Sequence, residues 1–61
     1  MNREEAKRLC ATVLDNTDRA ISDAIAILDM DSSLDVQLYT AYLETLQGLI
    51  GNTKDKIMFD I

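Results

Sequence analysis

The chain has 61 residues with two glycines, no proline and a net charge of −5, and 48% of its residues are hydrophobic. A chain of this length forms one domain at most, with a core of marginal size. It contains one cysteine and no histidine, so it lacks an internal disulfide and the commonest transition-metal ligand. The single cysteine favours a reducing cytoplasm, and the lack of proline with few glycines favours an all-α chain. No run of about 18 apolar residues is present, so we expect no membrane-spanning helix.

The negative charge is unevenly distributed along the chain. Between Asp15 and Glu44, seven acidic residues accompany Arg19 alone, whereas the remainder of the chain is close to neutral. If the chain folds back near its middle, one end of the molecule is therefore strongly acidic. Such an end repels nucleic acid and membrane phosphates and suits a basic protein partner, or it simply forms a solvated surface.

A first helix is predicted from about residue 2 to residue 28. Asn2 is a suitable N-cap, and Glu4 and Glu5 suit the positive end of the helix dipole. Apolar and small residues then recur at heptad spacing along three neighbouring lines, with Cys10 expected to be buried. The lines are Ala6, Val13, Ala20 and Ile27; Cys10, Thr17 and Ala24; and Leu14, Ile21 and Leu28.

The segment from residue 29 to residue 33 breaks this pattern and predicts a turn. Its Asp and Ser side chains compete for backbone hydrogen bonds and favour turns and caps. Ser32 followed by Asp35 resembles a capping box, so we expect a second helix from about residue 33 to residue 59. So short a connection predicts that the two helices are antiparallel neighbours.

The second helix repeats the heptad pattern. Its main line is flanked by two more, and the three lines contain Val36, Leu43, Ile50 and Ile57; Tyr39 and Leu46; and Tyr42 and Leu49. Gly51 is a possible end of the helix, because glycine costs roughly 1 kcal/mol in a helix interior relative to alanine. The apolar line continues in phase beyond Gly51, however, which favours a continuous helix to about Phe59, either straight or bent near Gly51.

Two helices alone cannot cover all of this apolar surface. Burial of only half of each Leu and Ile side chain would contribute too little free energy to offset the conformational entropy that the chain loses on folding. We therefore predict an antiparallel two-helix hairpin that dimerises into a four-helix bundle, because a symmetric dimer is the commonest oligomer. Heptads leave open whether the two hairpins dock in a parallel or an antiparallel sense. The residues predicted at the dimer or partner interface are Val13, Leu14, Thr17, Ala20, Ile21, Ala24, Leu28, Tyr39, Leu43, Leu46 and Ile50.

The C-terminal residues Met58, Phe59 and Ile61 are also apolar. Phe59 and Ile61 lie off the main line of the second helix. The tail is therefore either part of the core or an exposed contact for a partner.

The residues around the turn resemble a known family. Leu28-Asp29-Met30-Asp31 followed by Asp35-Val36 is similar to the turn of Rop-like proteins, small plasmid copy-number regulators. The resemblance implies a dimer of helical hairpins that steadies paired RNA loops through the outer face of the first helix. On that face Arg3 would be a basic contact. The other residues there are Thr12, Asn16, Arg19 and Asp23, with no aromatic side chain.

The sequence contains little that suggests catalysis. A glycine-rich phosphate loop and paired cysteines are both missing, and no cofactor or metal ion is expected. We therefore predict a non-enzymatic regulatory or adaptor protein that acts through homodimerisation and contacts with another protein. Two alternatives remain: a hairpin chaperone that completes its core with a partner helix, or a Rop-like modulator that binds RNA.

Overall fold

The structure, a computed structural model, describes residues 1–31 and 33–60, and it consists of two helices. Helix α1 comprises Arg3–Leu28 and helix α2 comprises Val36–Met58. The helices pack side by side along their length in a molecule of 48 × 16 × 9 Å. The expectation of an all-helical chain with two packed helices is confirmed. Neither helix, as far as the chain is described, is long and apolar enough to cross a membrane.

Each helix begins at a side-chain cap. The Asn2 side chain accepts a hydrogen bond of 2.8 Å from the backbone N–H of Glu5. Asp35 does the same for α2, accepting a bond of 3.1 Å from the N–H of Leu38. The cap expected at Ser32 lies outside the described residues. With Asp35 as its cap, α2 begins at Val36 rather than at residue 33.

The turn contains a local hydrogen-bonded loop around Asp31. The carboxylate of Asp31 accepts a bond of 2.6 Å from the hydroxyl of Ser33 and one of 2.8 Å from its backbone N–H. The hydroxyl bond, followed by the backbone bond, lowers the pKa of Asp31 below its ordinary value because both bonds favour the ionised form. The Asp31 side chain therefore satisfies one backbone donor of the turn, the N–H of Ser33.

Helix α2 continues through both of its glycines. Gly48 and Gly51 lie within the helix, and neither has a positive φ angle. A Cβ atom added at either position would have no neighbour within 4 Å. The in-phase apolar line, rather than the glycine signal, therefore predicted the course of this segment correctly.

The contact between α1 and α2 forms a narrow seam. Seam residues recur at alternating steps of four and three, so they follow one stripe on each helix. On α1 they are Lys7, Ala11, Leu14, Asp18, Ile21, Ile25 and Leu28, and on α2 Val36, Thr40, Leu43, Gln47, Ile50, Lys54 and Ile57. Within the described residues only Ala11 is buried, with 8% of its surface exposed, and the other seam residues are half-buried. One hairpin therefore has a thin core.

The seam differs between its two ends. We call residues 19–31 and 33–46 the turn half, and residues 3–18 and 47–60 the terminal half. Seam positions in the turn half carry aliphatic side chains such as Ile21, Ile25 and Leu43, with Thr40 as the exception. Those in the terminal half include Lys7, Asp18, Gln47 and Lys54.

Polar contacts join the helices of the terminal half. Lys54 Nζ lies 2.7 Å from Asp15 Oδ1, and Arg3 pairs with Asp60 at 2.7 Å. Lys7 Nζ donates to the backbone carbonyl of Asp60 at 2.8 Å. These contacts, between residues far apart in sequence, fix α1 and α2 as antiparallel.

The amide of Gln47 adds a contact at the middle of the seam. Its Nε2 donates to Ser22 Oγ at 2.8 Å and to the backbone carbonyl of Asp18 at 3.2 Å. A half-buried polar side chain with specific partners on the opposite helix disfavours a shift in register, because a shift would break both bonds. Gln47 therefore helps to align the two helices.

A candidate docking face

A second apolar stripe runs along each helix, next to the seam, and remains exposed. We call the combined surface the docking face. It consists of Cys10, Val13, Thr17, Ala20, Ala24 and Ile27 on α1, and of Tyr39, Tyr42, Leu46 and Leu49 on α2. Helical spacing turns the stripes of two antiparallel helices toward the same side of the hairpin, because each stripe lies the same number of residues from its seam.

The large side chains of this face are exposed to an unusual degree for a folded helix pair. Ile27 is 66% exposed, Val13 is 62% and Tyr42 is 61%. Leu49, Leu46 and Tyr39 are also about half exposed. The thiol of Cys10, expected to be buried, is exposed on the same face. Contiguous exposed apolar surface of this kind is typical of sites that contact another protein, a membrane or a ligand.

An open apolar groove of about 440 Å³ lies within the docking face near the turn. Leu28 and Leu43 of the seam line it, and four residues of the docking face complete it: Ala24, Ile27, Tyr39 and Tyr42. Residues of both stripes thus border a single groove, so the two stripes do face the same side of the hairpin. The groove could accept apolar side chains of another helix.

The opposite side of the hairpin is polar. It includes the Lys54–Asp15 ion pair and, further along, Gln37 and Glu44, which are exposed. Gly48 and Gly51 lie near the same side, where they leave the surface of α2 bare. The hairpin is therefore amphipathic as a whole, with one apolar side and one polar side.

The residues predicted at the interface fall into two groups. The large members Leu14, Ile21, Leu28, Leu43 and Ile50 lie in the seam between α1 and α2. The others lie on the docking face: Val13, Thr17, Ala20, Ala24, Tyr39 and Leu46. The predicted set omits Cys10, Ile27, Tyr42 and Leu49 of the docking face, although their heptad lines were visible in the sequence.

Met58 and Phe59 lie outside the docking face. Phe59 is the C-cap of α2, is 82% exposed, and shares its helical line with Thr45 and Asn52. Met58 is 44% exposed and shares its line with Glu44 and Gly51, on the polar side. The contact predicted at Ile61 lies outside the described residues.

The described residues contain no group of three or more side chains that could hold a metal ion. Comparison with known proteins gives no match, whether to a family model, to a curated protein or to a solved structure. The docking face is thus the feature of this structure from which a function can be argued.

Proposed function

We propose that this chain is a non-enzymatic regulatory or adaptor protein of the cytoplasm that works as a homodimer. A second copy covers the docking face, and the two hairpins together form a four-helix bundle. The observation that carries the proposal is the continuous exposed stripe on each helix, from Cys10 to Ile27 and from Tyr39 to Leu49. The dimer then presents its polar sides to another protein.

The energetics favour covering this face. Fully burying a Val, Leu or Ile side chain contributes roughly 1.5–3 kcal/mol, so burial of the exposed half of each contributes about 1 kcal/mol. Each copy brings four such side chains, Val13, Ile27, Leu46 and Leu49, and two tyrosines, Tyr39 and Tyr42. Two copies together supply a gain comparable with the roughly 4–15 kcal/mol that association costs. Burial of the face therefore offsets most or all of the cost of association.

The width of the face favours a second hairpin over a single partner helix. A lone helix would lie in the furrow between α1 and α2, against the inner lines of residues such as Thr17 and Leu46. It would leave the outer lines, which contain Val13, Ile27 and Tyr42, partly in water. The docking face of a second hairpin has the same width, so it covers the inner and the outer lines of both helices.

The test compares two substitutions one residue apart on α2. Leu46→Glu places a charge on the docking face, whereas Thr45→Glu places the same charge on the exposed line of Thr45 and Asn52, outside the docking face. We expect sedimentation equilibrium to show a dimer for the natural sequence and for Thr45→Glu, and a monomer for Leu46→Glu. We expect this difference because dimerisation would bury the unpaired carboxylate of Glu at position 46, which is costly.

Two outcomes would contradict the proposal. A natural sequence that is monomeric and fully folded at all concentrations has no need of a second copy. A dimer that Leu46→Glu leaves intact would use some other surface. A monomer that becomes rigid only when a helical partner is added would instead support the hairpin chaperone.

A further inference from the structure

We propose that the groove near the turn also binds an amphipathic helix of another protein, one with basic residues at its end, and that this helix displaces the second copy. The inference concerns the regulation of the docking face and rests on the proposed homodimer. Three features of the groove support it: its shape, its apolar lining and the acidic residues at its border.

The groove lies on the midline between α1 and α2. Leu28 and Leu43 of the seam line it along the midline, and the largely exposed Ile27 and Tyr42 stand on either side. A single helix in the furrow between two others fills such a groove with one row of its side chains. In a four-helix bundle, each helix of the second copy instead lies over one helix of the first. The whole docking face thus suits a hairpin, whereas the groove alone suits one helix.

The lining of the groove is apolar. All six lining residues are aliphatic or aromatic, and the groove volume of about 440 Å³ is within the range of roughly 300–1,000 Å³ that is typical of binding pockets. Ala24 leaves space beside the tyrosines. Leucine, isoleucine or phenylalanine side chains at intervals of three and four residues on a partner helix match such a surface.

Acidic residues border the groove at its turn end. The backbone N–H of Tyr39, a lining residue, donates to the carbonyl of Asp35 at 3.1 Å. The N–H of Asp31 donates to the carbonyl of Leu28, also a lining residue, at 3.1 Å. Both carboxylates are exposed, and neither forms an ion pair within the part of the chain that the structure describes. Arg19 is the only basic residue in the sequence of the turn half, so this end of the groove is negative.

A basic helix supplies the charge that a second copy lacks. The second copy brings the same net charge of −5. Lysine or arginine at the end of a partner helix would instead pair with Asp31 and Asp35, which adds affinity and fixes the direction of the helix. The helix and the second copy bind the same surface, so they compete by mass action. The concentration of the basic helix therefore sets the fraction of this protein that is dimeric.

Competition with synthetic peptides tests the inference. The probe is a peptide of about 18 residues, roughly 27 Å long as a helix, with leucine at helical spacing and lysine at the other positions. A matched peptide has glutamine in place of every lysine. Sedimentation velocity follows the dimer, and fluorescence anisotropy of the labelled peptide measures its affinity. We expect the lysine peptide to convert the dimer into a complex of one hairpin with one peptide. It should bind roughly tenfold more tightly than the glutamine peptide at low salt.

Two double variants of this chain test the role of the acidic border. Asp31→Asn with Asp35→Asn removes both charges at the turn end, and asparagine at position 35 still caps α2. We expect this variant to bind the lysine peptide roughly three- to tenfold more weakly at low salt. Glu5→Gln with Asp55→Asn is the control, since it removes the same charge from the terminal half. It should weaken binding less than about twofold.

Four outcomes would overturn the inference: no binding of the lysine peptide, binding that leaves the dimer intact, equal affinity for the two peptides, or an equal loss of affinity in the two double variants. The homodimer would stand in each of these cases. A natural sequence that sediments as a monomer without any peptide would overturn the homodimer, and with it the displacement of a second copy. The two failures are thus distinguishable.

Discussion

The turn half and the terminal half of the hairpin share one heptad geometry but are stabilised by different interactions. In the turn half, aliphatic residues such as Ile25 and Leu43 fill the seam. In the terminal half, Lys54 pairs with Asp15 and Arg3 with Asp60 across the same seam. The hydrophobic contribution depends little on salt, whereas exposed ion pairs are screened by it. Equal helical spacing therefore does not imply equal strength along the molecule.

The difference also assigns separate roles to the two halves. Hydrophobic contacts are not directional, so the turn half supplies most of the stability but little register. Hydrogen bonds from Gln47 and the ion pair of Lys54 require particular partners, and they align the helices where the seam is least apolar. The following predictions test this comparison, from the largest expected effect to the smallest.

Leu43→Ala removes a half-buried side chain from the turn half of the seam, where it also lines the groove. We expect a loss of about 2 kcal/mol in the free energy of unfolding, from lost burial and from the cavity left behind. Urea denaturation followed by circular dichroism measures it. Leu9→Ala is the control, since Leu9 is 49% exposed and lies off the seam. Equal losses for the two variants would show that the turn half is not an apolar core.

Thr40→Val addresses the one polar residue in the turn half of the seam. Among the described residues, Thr40 Oγ1 is a buried oxygen without a hydrogen-bond partner. Replacing the hydroxyl with a methyl group should stabilise the hairpin by about 1 kcal/mol, because the group is desolvated without compensation.

The control for this variant is Thr45→Val, which has the same shape change on an exposed hydroxyl that donates to the backbone carbonyl of Ala41. That variant should change stability by less than about 0.5 kcal/mol, as surface substitutions usually do. If Thr40→Val destabilises the protein, the Thr40 hydroxyl has a hydrogen-bond partner in solution, and the seam of the turn half is not purely apolar.

Lys54→Ala breaks the ion pair with Asp15 in the terminal half. The Lys54 and Asp15 side chains are 35% and 54% exposed, so we expect a loss of about 0.5 kcal/mol at low salt. The loss should disappear near 1 M salt, where the Debye length is about 3 Å. Lys56→Ala, which removes the same charge from an exposed position, should cost less at low salt. A loss that persists at high salt would mean that Lys54 contributes through its aliphatic stem instead.

Ser33→Ala is expected to have the smallest effect, confined to the turn. It removes the hydroxyl that chiefly lowers the pKa of Asp31, so that pKa should rise toward its ordinary value. A carboxyl group whose pKa is lower in the folded than in the unfolded chain stabilises the fold at pH values above its pKa in the unfolded chain. This contribution is lost as the pH falls through its pKa in the folded chain.

An NMR titration of the Asp31 carboxyl carbon measures the pKa directly. Ser22→Ala removes a hydroxyl far from Asp31 and should leave the titration unchanged. An unaltered pKa in Ser33→Ala would show that the hydroxyl does not bond to Asp31 in solution.

Most of the fold was predictable from local patterns in the sequence. Asn2 marked the start of α1, and the apolar line through Ile50 and Ile57 predicted that α2 continues past Gly51. The start of α2 was less predictable, because Ser and Asp are both good caps and several of them occur within the turn. Asp35 is the cap in the structure, and no propensity scale would separate it from its neighbours.

The division between seam and docking face was not predictable in the same way. Leu14 and Val13 lie on adjacent lines of one wide apolar stripe, so heptad spacing gives both the same character. The structure places Leu14 in the seam and Val13 on the docking face, and the seam also contains Lys7, Gln47 and Lys54, whose polar contacts join the two helices. In the sequence, charged and amide residues at seam positions cannot be distinguished from surface residues. The sequence therefore does not show which apolar line forms the seam.

The ion pair between Arg3 and Asp60 has a practical consequence for rearranging the chain. Because the guanidinium of Arg3 contacts the carboxylate of Asp60, the start of α1 and the end of α2 lie at the same end of the hairpin, and a short glycine-rich linker could join them. Cutting the original connection near Ser33 would then give a circular permutant with new termini beside Leu28 and Val36. Such a permutant would retain every helix contact while reversing the order in which the two helices leave the ribosome.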